Sequence, residues 1–444
     1  MKRWIPVLFL FAQCTHSSNQ KNISMFHGGI THGGIYESND YKKFGDVKWA
    51  FATNGKIFST PAVVNGMAYT GSEDSNIYAV NATTGAMQWK FKTNGAVSST
   101  PAVYNNMVYA GSYDGNFYAL NTETGEPAWK FKTGGEKRNS AIGLWGMLPA
   151  GINMEDQYDF FLSSPIVDTA NNTAVVYFGS SDGNVYALDA ATGKQLWKFT
   201  TNGMVHTSPA LANGILYVGS WDTYMYALDA KTGALKWKFK TGDQPVVHLM
   251  EGIQASPVYA DSMIYFGARD GFFHALNAVT GKEIWKWAAN GSWIVNTAAV
   301  KDGVVYFGTS DTYLFVAADA KTGKEQYHLK VNGYVYSSPS VAGNTAYFGD
   351  FTGRMYAFDL SSAGKAYDVW ETPARKVYAP GILKKDTLDF MYTAAADTAP
   401  LYTNAVKVMN KFYTLGPIVS SPVIANGVIY FGSADGRLYA VALR

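Results

Sequence analysis

The amino-acid sequence predicts an all-β chain, an eight-bladed β-propeller of four-stranded antiparallel blades. One phrase recurs eight times along the 444 residues, most cleanly from Ser208 to Asp222, then over Tyr226–Gly233 and Trp237–Phe239. Within a unit, large apolar residues alternate with small or polar ones at period two, the pattern of half-buried strands. Units of about 40 residues that cannot bury both faces alone stack side by side and close into a ring.

Each unit opens on a proline, at Pro61, Pro101, Pro165, Pro209, Pro257, Pro339 and Pro422, with Ala298 in that place in the sixth. Met67-Ala-Tyr-Thr and Asn76-Ile-Tyr-Ala-Val supply strands of the first unit, and nothing in the regular units has helical spacing. Between the strands, Val64-Asn-Gly66, Asp114-Gly115 and Asn81-Ala-Thr-Thr-Gly85 offer the positive φ angles of tight hairpins. A closing aromatic follows the Thr-Gly turn at Trp89, Trp129, Trp197, Trp237 and Trp285, and Tyr327 and Trp370 are expected in that place in units six and seven. Unit eight ends at Arg444 without such a strand, whereas a spare one, Trp49-Ala-Phe51, stands ahead of the first unit. The N-terminal strand around Trp49 is therefore expected to complete the last blade, leaving no open sheet edge. The aromatics at repeat positions read as core that packs between blades.

Thirty-six basic residues against 34 acidic ones leave a charge of +2, or zero without Lys2 and Arg3, and no basic patch argues for nucleic acid. The first 14 residues hold two cations, an apolar run from Trp4 to Ala12 and the single cysteine, Cys14, too short a stretch to span a bilayer. This resembles a bacterial lipoprotein signal. It divides the chain into a signal peptide over 1–13, a lipid-anchor tether and lead-in over 14–44, and the propeller over 45–444. Export is expected, with Cys14 carrying lipid at the outer membrane, on its periplasmic or surface face. The rival is cleavage further on and a soluble periplasmic protein. Once Cys14 is acylated no thiol remains for a disulfide, so the fold relies on packing.

Three joins exceed the regular spacing, at 134–163, 242–255 and 371–420. All connect the last strand of one blade to the first of the next, so they share a face with the Asp-Gly turns. Function is expected there, around the channel mouth. The candidate ligand-binding residues on that face are Asp159, Trp221, His248, Glu251, Gln254, Trp293 and Asn296. Trp221 precedes the turn Asp where other units have Glu73, Tyr113, Ser181 or Arg269, and is either a lid on the channel or a stacking platform for a flat or sugar-like ligand. His206 and His248 read as hydrogen-bonded or solvated loop histidines ahead of any metal or acid–base role. Asp182, Asp270 and Asp435 lie one per blade and build no calcium cage. No haem-attachment, phosphate-loop, nucleophile-elbow or zinc motif occurs. In the third insertion, residues 398–413 are expected to form a short helix on the rim, as a partner-binding arm or as a brace.

The phrase from Ser180 to Trp197 closely resembles the tryptophan-docking repeat of pyrroloquinoline-quinone-like propellers, a resemblance that covers nearly all of the chain from Trp49 onward. Met25-Phe-His-Gly28, with His32-Gly33 and Tyr36, looks like the lead-in that precedes the first blade in exported members. The resemblance implies two functional classes. Quinoprotein alcohol dehydrogenases hold the quinone over calcium with a catalytic Asp, a Trp floor and commonly a disulfide of adjacent cysteines. This chain has no adjacent cysteines, no haem motif and shorter excursions between blades. The other class is non-catalytic: exported propellers, including the lipoprotein of the outer-membrane β-barrel assembly machinery, whose loops bind protein on one face.

The leader and the neutral ring fit that second class. The expectation is a monomeric, non-catalytic scaffold with no cofactor, an envelope protein partner on the insertion face, and membrane contact through the lipid anchor only. One alternative is a quinone- and calcium-dependent dehydrogenase. In it Asp159, Glu251, Gln254 and Asn296 are the acid–base and metal groups and Trp221 or Trp293 stacks on the quinone. The other is a carbohydrate- or small-ligand-binding propeller.

Overall fold

The computed structural model describes residues 23–170, 173–242, 251–361, 365–394 and 399–444. Eight antiparallel sheets form a ring of blades. The first blade is built from Ala62–Val64, Met67–Ser72, Asn76–Asn81 and Met87–Lys92, running from the channel to the rim, and the pattern repeats around the ring. The last blade joins Val423–Ala425, Val428–Gly432 and Arg437–Leu443 to Phe44–Ala52 as its outermost strand, with Trp49 opposite Ala440. The N-terminal strand thus closes the ring, as its spare aromatic motif predicts.

The closing tryptophans stitch each blade to the next. Their indole N–H donates to a carbonyl of the following blade, from Trp49 to Ala82 at 3.0 Å, Trp89 to Thr122 at 2.8 Å and Trp285 to Ala320 at 2.9 Å. The ring of Trp89 lies on Gly125, where φ is +72° and an added Cβ would sit 2.6 Å from the indole. The glycine of the Thr-Gly turn is therefore required twice, by its backbone angle and by the neighbour's ring. In the seventh blade the register corrects the sequence reading. Asp368, not Trp370, stands opposite Ala357 in the closing place, and its carboxylate accepts the Phe44 N–H at 2.9 Å. Trp370 pairs with Met355 two residues further on and packs on Phe431 and Tyr439.

A second set of stitches surrounds the channel. The residue before each opening proline is Ser or Thr, and in seven of the eight blades its backbone N–H donates to the hydroxyl of its counterpart in the next blade. Examples are Thr60 to Thr100 at 3.1 Å, Thr100 to Ser164 at 3.0 Å and Ser208 to Ser256 at 2.9 Å, and Ser421 returns to Thr60 at 3.0 Å. These amides lie two residues ahead of the innermost strands, outside their pairing, so the hydroxyls satisfy donors that would otherwise be buried unpaired.

The channel is filled from both ends. Ile23–Ser24 pairs with the inner strand of the second blade. The lead-in then crosses the floor, where its carbonyls at Ile30, Thr31, Gly33 and Gly34 accept the N–H groups of Leu211, Tyr259, Val300 and Val341 in successive blades. His27 and His32 are buried in this floor, and burial pushes His32 down to about 3 while Pro257 O accepts from its ring at 3.0 Å. At the insertion face Phe58, Phe160, Tyr336 and Phe351 meet the cap helices Pro373–Ile382, Phe390–Ala394 and Leu401–Tyr413. The last helix matches the one expected over 398–413, with Ala405, Val408, Met409 and Phe412 on its buried stripe. Between floor and roof remains a cavity of about 30 Å³, bounded by Phe26, Phe161, Leu162, Val295 and the hydroxyls, room for a water or two. No helix among the described residues is long and apolar enough to cross a membrane.

Trp49→Ala removes both the packing and the indole stitch at the closing blade. Denaturant unfolding should show a loss of about 3–4 kcal/mol, against about 0.5 kcal/mol or less for the exposed Lys48→Ala. Equal effects would contradict ring closure through this strand.

Candidate functional site

The first insertion carries the site. It leaves the second blade at Gly134, turns through the hairpin Ser140–Ile142 and Asn153–Glu155, and returns across the channel mouth through Asp156–Leu162. Glu136 begins its attachment: its carboxylate accepts the Ser180 hydroxyl at 2.6 Å and the Ser181 N–H at 2.8 Å. Arg138 donates to Glu73 of the first blade at 2.6 Å.

Arg269 is the centre of the arrangement. It is 1% exposed, and its guanidinium carbon lies 4.5 Å from the ring centre of Trp221 and 4.2 Å from that of Trp293. Its Nη1 donates to Asp156 at 2.5 Å, and its Nε and Nη2 donate to Gln254 Oε1 at 3.1 and 2.7 Å. Gln254 in turn donates to Tyr158 O at 2.9 Å. Two indoles flanking a planar group is the geometry of a stacking site, and here the planar group belongs to the protein. A guanidinium so enclosed keeps its charge, with a buried carboxylate as counter-ion.

Beside it, His206 is buried between Asp159 Oδ1, 2.9 Å from Nδ1, and Ser181 Oγ, 2.7 Å from Nε2. These are the contacts of a Ser–His–Asp relay, but the Ser181 hydroxyl donates to Lys137 O at 3.0 Å. With that proton on Lys137 O, Nε2 donates to Oγ, and the carboxylate at Nδ1 favours the protonated ring. Burial alone would lower its pKa, but the charge and hydrogen bond of Asp159 outweigh it and raise the group. Asp159 also accepts the Asn139 N–H at 2.6 Å, so the relay is a strap that fastens the insertion to the third and fourth blades. The Trp221 ring meets the imidazole edge-on at 6.3 Å, with its Nε1 3.3 Å from Nδ1.

Of the residues expected from sequence, the structure gathers Asp159, Trp221, Gln254 and Trp293 around Arg269. Glu251 lies at the edge, in an open groove of about 500 Å³ shared with Lys137, Asn139, Ser181, Asp182 and Trp221. His248 and Cys14 fall outside the described residues. Asn296 is a correction to the expected acid–base and metal set. Its amide donates to Gly308 O and Val335 O at 2.9 and 2.7 Å and accepts the Gly308 N–H at 3.0 Å, which uses both ends. It replaces the hydroxyls of Ser59 and Ser163, which accept the matching Gly71 and Gly179 N–H groups. Trp221 is 7% exposed and packs on Arg269.

Sequence reasoning missed Arg269, Asp156 and the strap role of His206. The turn position before the Asp varies among the units, and that variability, noticed for Trp221, marks Arg269 equally. Among the described residues no three His, Cys, Asp or Glu side chains converge as a metal would need. A quinone stacked between the indoles would have to displace Arg269, so the residues present do not fit that cofactor as they stand.

Comparison with known proteins agrees with the architecture. The family profile described as outer membrane protein assembly factor BamB matches residues 41–143, 143–287 and 248–376. No curated protein matches the chain. Among solved structures, BamB from Moraxella catarrhalis is 15% identical with a TM-score of 0.60, covering 90% of this chain and 99% of that one. A quinohemoprotein alcohol dehydrogenase from Comamonas testosteroni is 14% identical with a TM-score of 0.69, covering 96% and 81%. A europium-containing methanol dehydrogenase is 15% identical with a TM-score of 0.66, covering 96% and 99%. At such identities the likeness is one of fold.

His206 has a raised pKa in the folded chain, so its stabilisation is complete below the unfolded value of 6.5 and is lost as pH rises through the folded value. Asp159→Asn should therefore cost about 3 kcal/mol in mildly acidic urea titrations, and the gap to the native chain should narrow toward alkaline pH. A gap that widens with pH would contradict an imidazolium strap.

Proposed function

The chain belongs to the family described as outer membrane protein assembly factor BamB, and from that premise we propose that it is a non-catalytic binding protein of the cell envelope. One observation carries this reading. The slot between Trp221 and Trp293, where a flat cofactor would stack, is filled by Arg269 and pinned by Asp156 and Gln254. Such a slot organises the mouth of the channel for contact, not for chemistry on a substrate. The open groove beside it, with Lys137, Asn139, Asp182 and Glu251 on its walls and Trp221 in its base, suits the loop or strand of a protein partner. The family's description suggests a role in outer-membrane protein assembly. In this reading residues 1–13 are removed on export and Cys14 carries the lipid that holds the ring at the outer membrane. The ring acts as a monomer and takes up no cofactor.

A thermal melt with pyrroloquinoline quinone and calcium separates this reading from the dehydrogenase. A ligand at 100 times its Kd would stabilise the fold by about 2.7 kcal/mol. The midpoint should stay where it is. A calcium-dependent rise that Arg269→Lys alters would contradict the scaffold. On the positive side, Lys137→Glu with Asn202→Arg in the groove should abolish co-purification of the protein partner held by the native chain. A partner retained undiminished would remove the groove from the reading.

A further inference from the structure

We propose that the cap on the insertion face docks on an anionic lipid surface. Sixteen large apolar side chains are exposed among the described residues, and eight of them fall in the hairpin of the first insertion and the three cap helices. The others are scattered singly or in pairs over the blades and the lead-in. Hydrogen bonds tie the eight into one body. Tyr402 N donates to Leu148 O at 3.1 Å, Lys411 Nζ to Thr393 O at 3.2 Å, and Thr393 Oγ1 to Ile382 O at 3.0 Å. Hairpin and helices are thus joined on the insertion face.

Two properties select a bilayer over a protein helix. The side chains stand proud of the surface, with Met391 76%, Ile142 68% and Val377 68% exposed, whereas a docked helix is received in a groove. Tyr378 and Tyr392 stand among them, amphipathic rings suited to the headgroup level. The charge is complementary to an anionic leaflet. Lys376, Lys384, Lys385, Lys407 and Lys411 are exposed in the helical part, against Asp386 and Asp389 there and Glu155 in the hairpin, among the described residues. Asp386 is engaged by Arg354 and Arg375, and Asp389 by Lys384, so neither carboxylate offsets Lys376 or Lys385. Exposed apolar residues within a cationic surround match interfacial insertion, where apolar burial and attraction to anionic headgroups add. The contact is independent of any acyl chain at Cys14 and requires none of the groove residues.

The test is co-sedimentation of the chain from Thr15 onward with vesicles of phosphatidylethanolamine and phosphatidylglycerol, and with phosphatidylcholine alone. Binding should appear only with the anionic vesicles and weaken as salt is raised. Met391→Asp with Val377→Asp should lower the partition coefficient by at least about tenfold, and Lys376→Glu with Lys385→Glu by a similar factor. All four positions are exposed, and an unchanged melting temperature verifies that each variant is folded. Absence of binding to anionic vesicles, equal binding to neutral ones, or variants that bind like the native chain would each overturn the proposal. Self-association abolished by the same substitutions, without vesicle binding, would assign the surface to a second copy instead.

Discussion

The circle of hydroxyls around the channel is the constraint on which the rest depends. An inner strand at a propeller axis has an edge with no neighbour, and the amides leading into it are too deep for bulk water. The blades place Ser or Thr before the opening residue, so that at seven of the eight junctions one blade's hydroxyl accepts the previous blade's N–H, and Ser421 hands the circle back to Thr60. The stitch works only if every blade has a neighbour on both sides. Ring closure and inner-strand satisfaction are therefore one requirement, and the tryptophan stitches at the rim repeat it at larger radius.

A closed circle leaves an axial void, and the chain fills it with its two least repetitive stretches. The lead-in pairs across the floor, and the first insertion with the cap helices roofs the other end. The roof is held by buried charge, Arg269 with Asp156 and His206 with Asp159. Buried pairs like these specify geometry more than they add stability. They fix where the insertion crosses, and so set the groove beside Trp221 and the cap above it.

The repeat made the architecture legible before any coordinates. Period-two strands, Thr-Gly turns and the displaced Trp49 motif led to eight blades and the correct closure, because each signal is local and recurs. Errors arose where identity was taken for register. Trp370 is aromatic and near the expected place, but the strand pairing puts Asp368 there. Asn296 is expected as an acid–base or metal group, yet its amide does the work of the serine hydroxyl found there in other units. Arg269 and Asp156 lie 113 residues apart and meet only because the insertion doubles back, which no local pattern encodes. The floor was invisible for a related reason: residues 23–36 lack the repeat, and their pairing is set by the ring they enter.

Native-state hydrogen exchange followed residue by residue tests the filled channel most directly. If floor and roof are parts of one core, amides of residues 24–35 and 156–162 should exchange as slowly as the inner strands of the blades, through global unfolding alone. Fast exchange in either stretch while the blades stay protected would mean that the channel opens to solvent in the folded protein, and would contradict it.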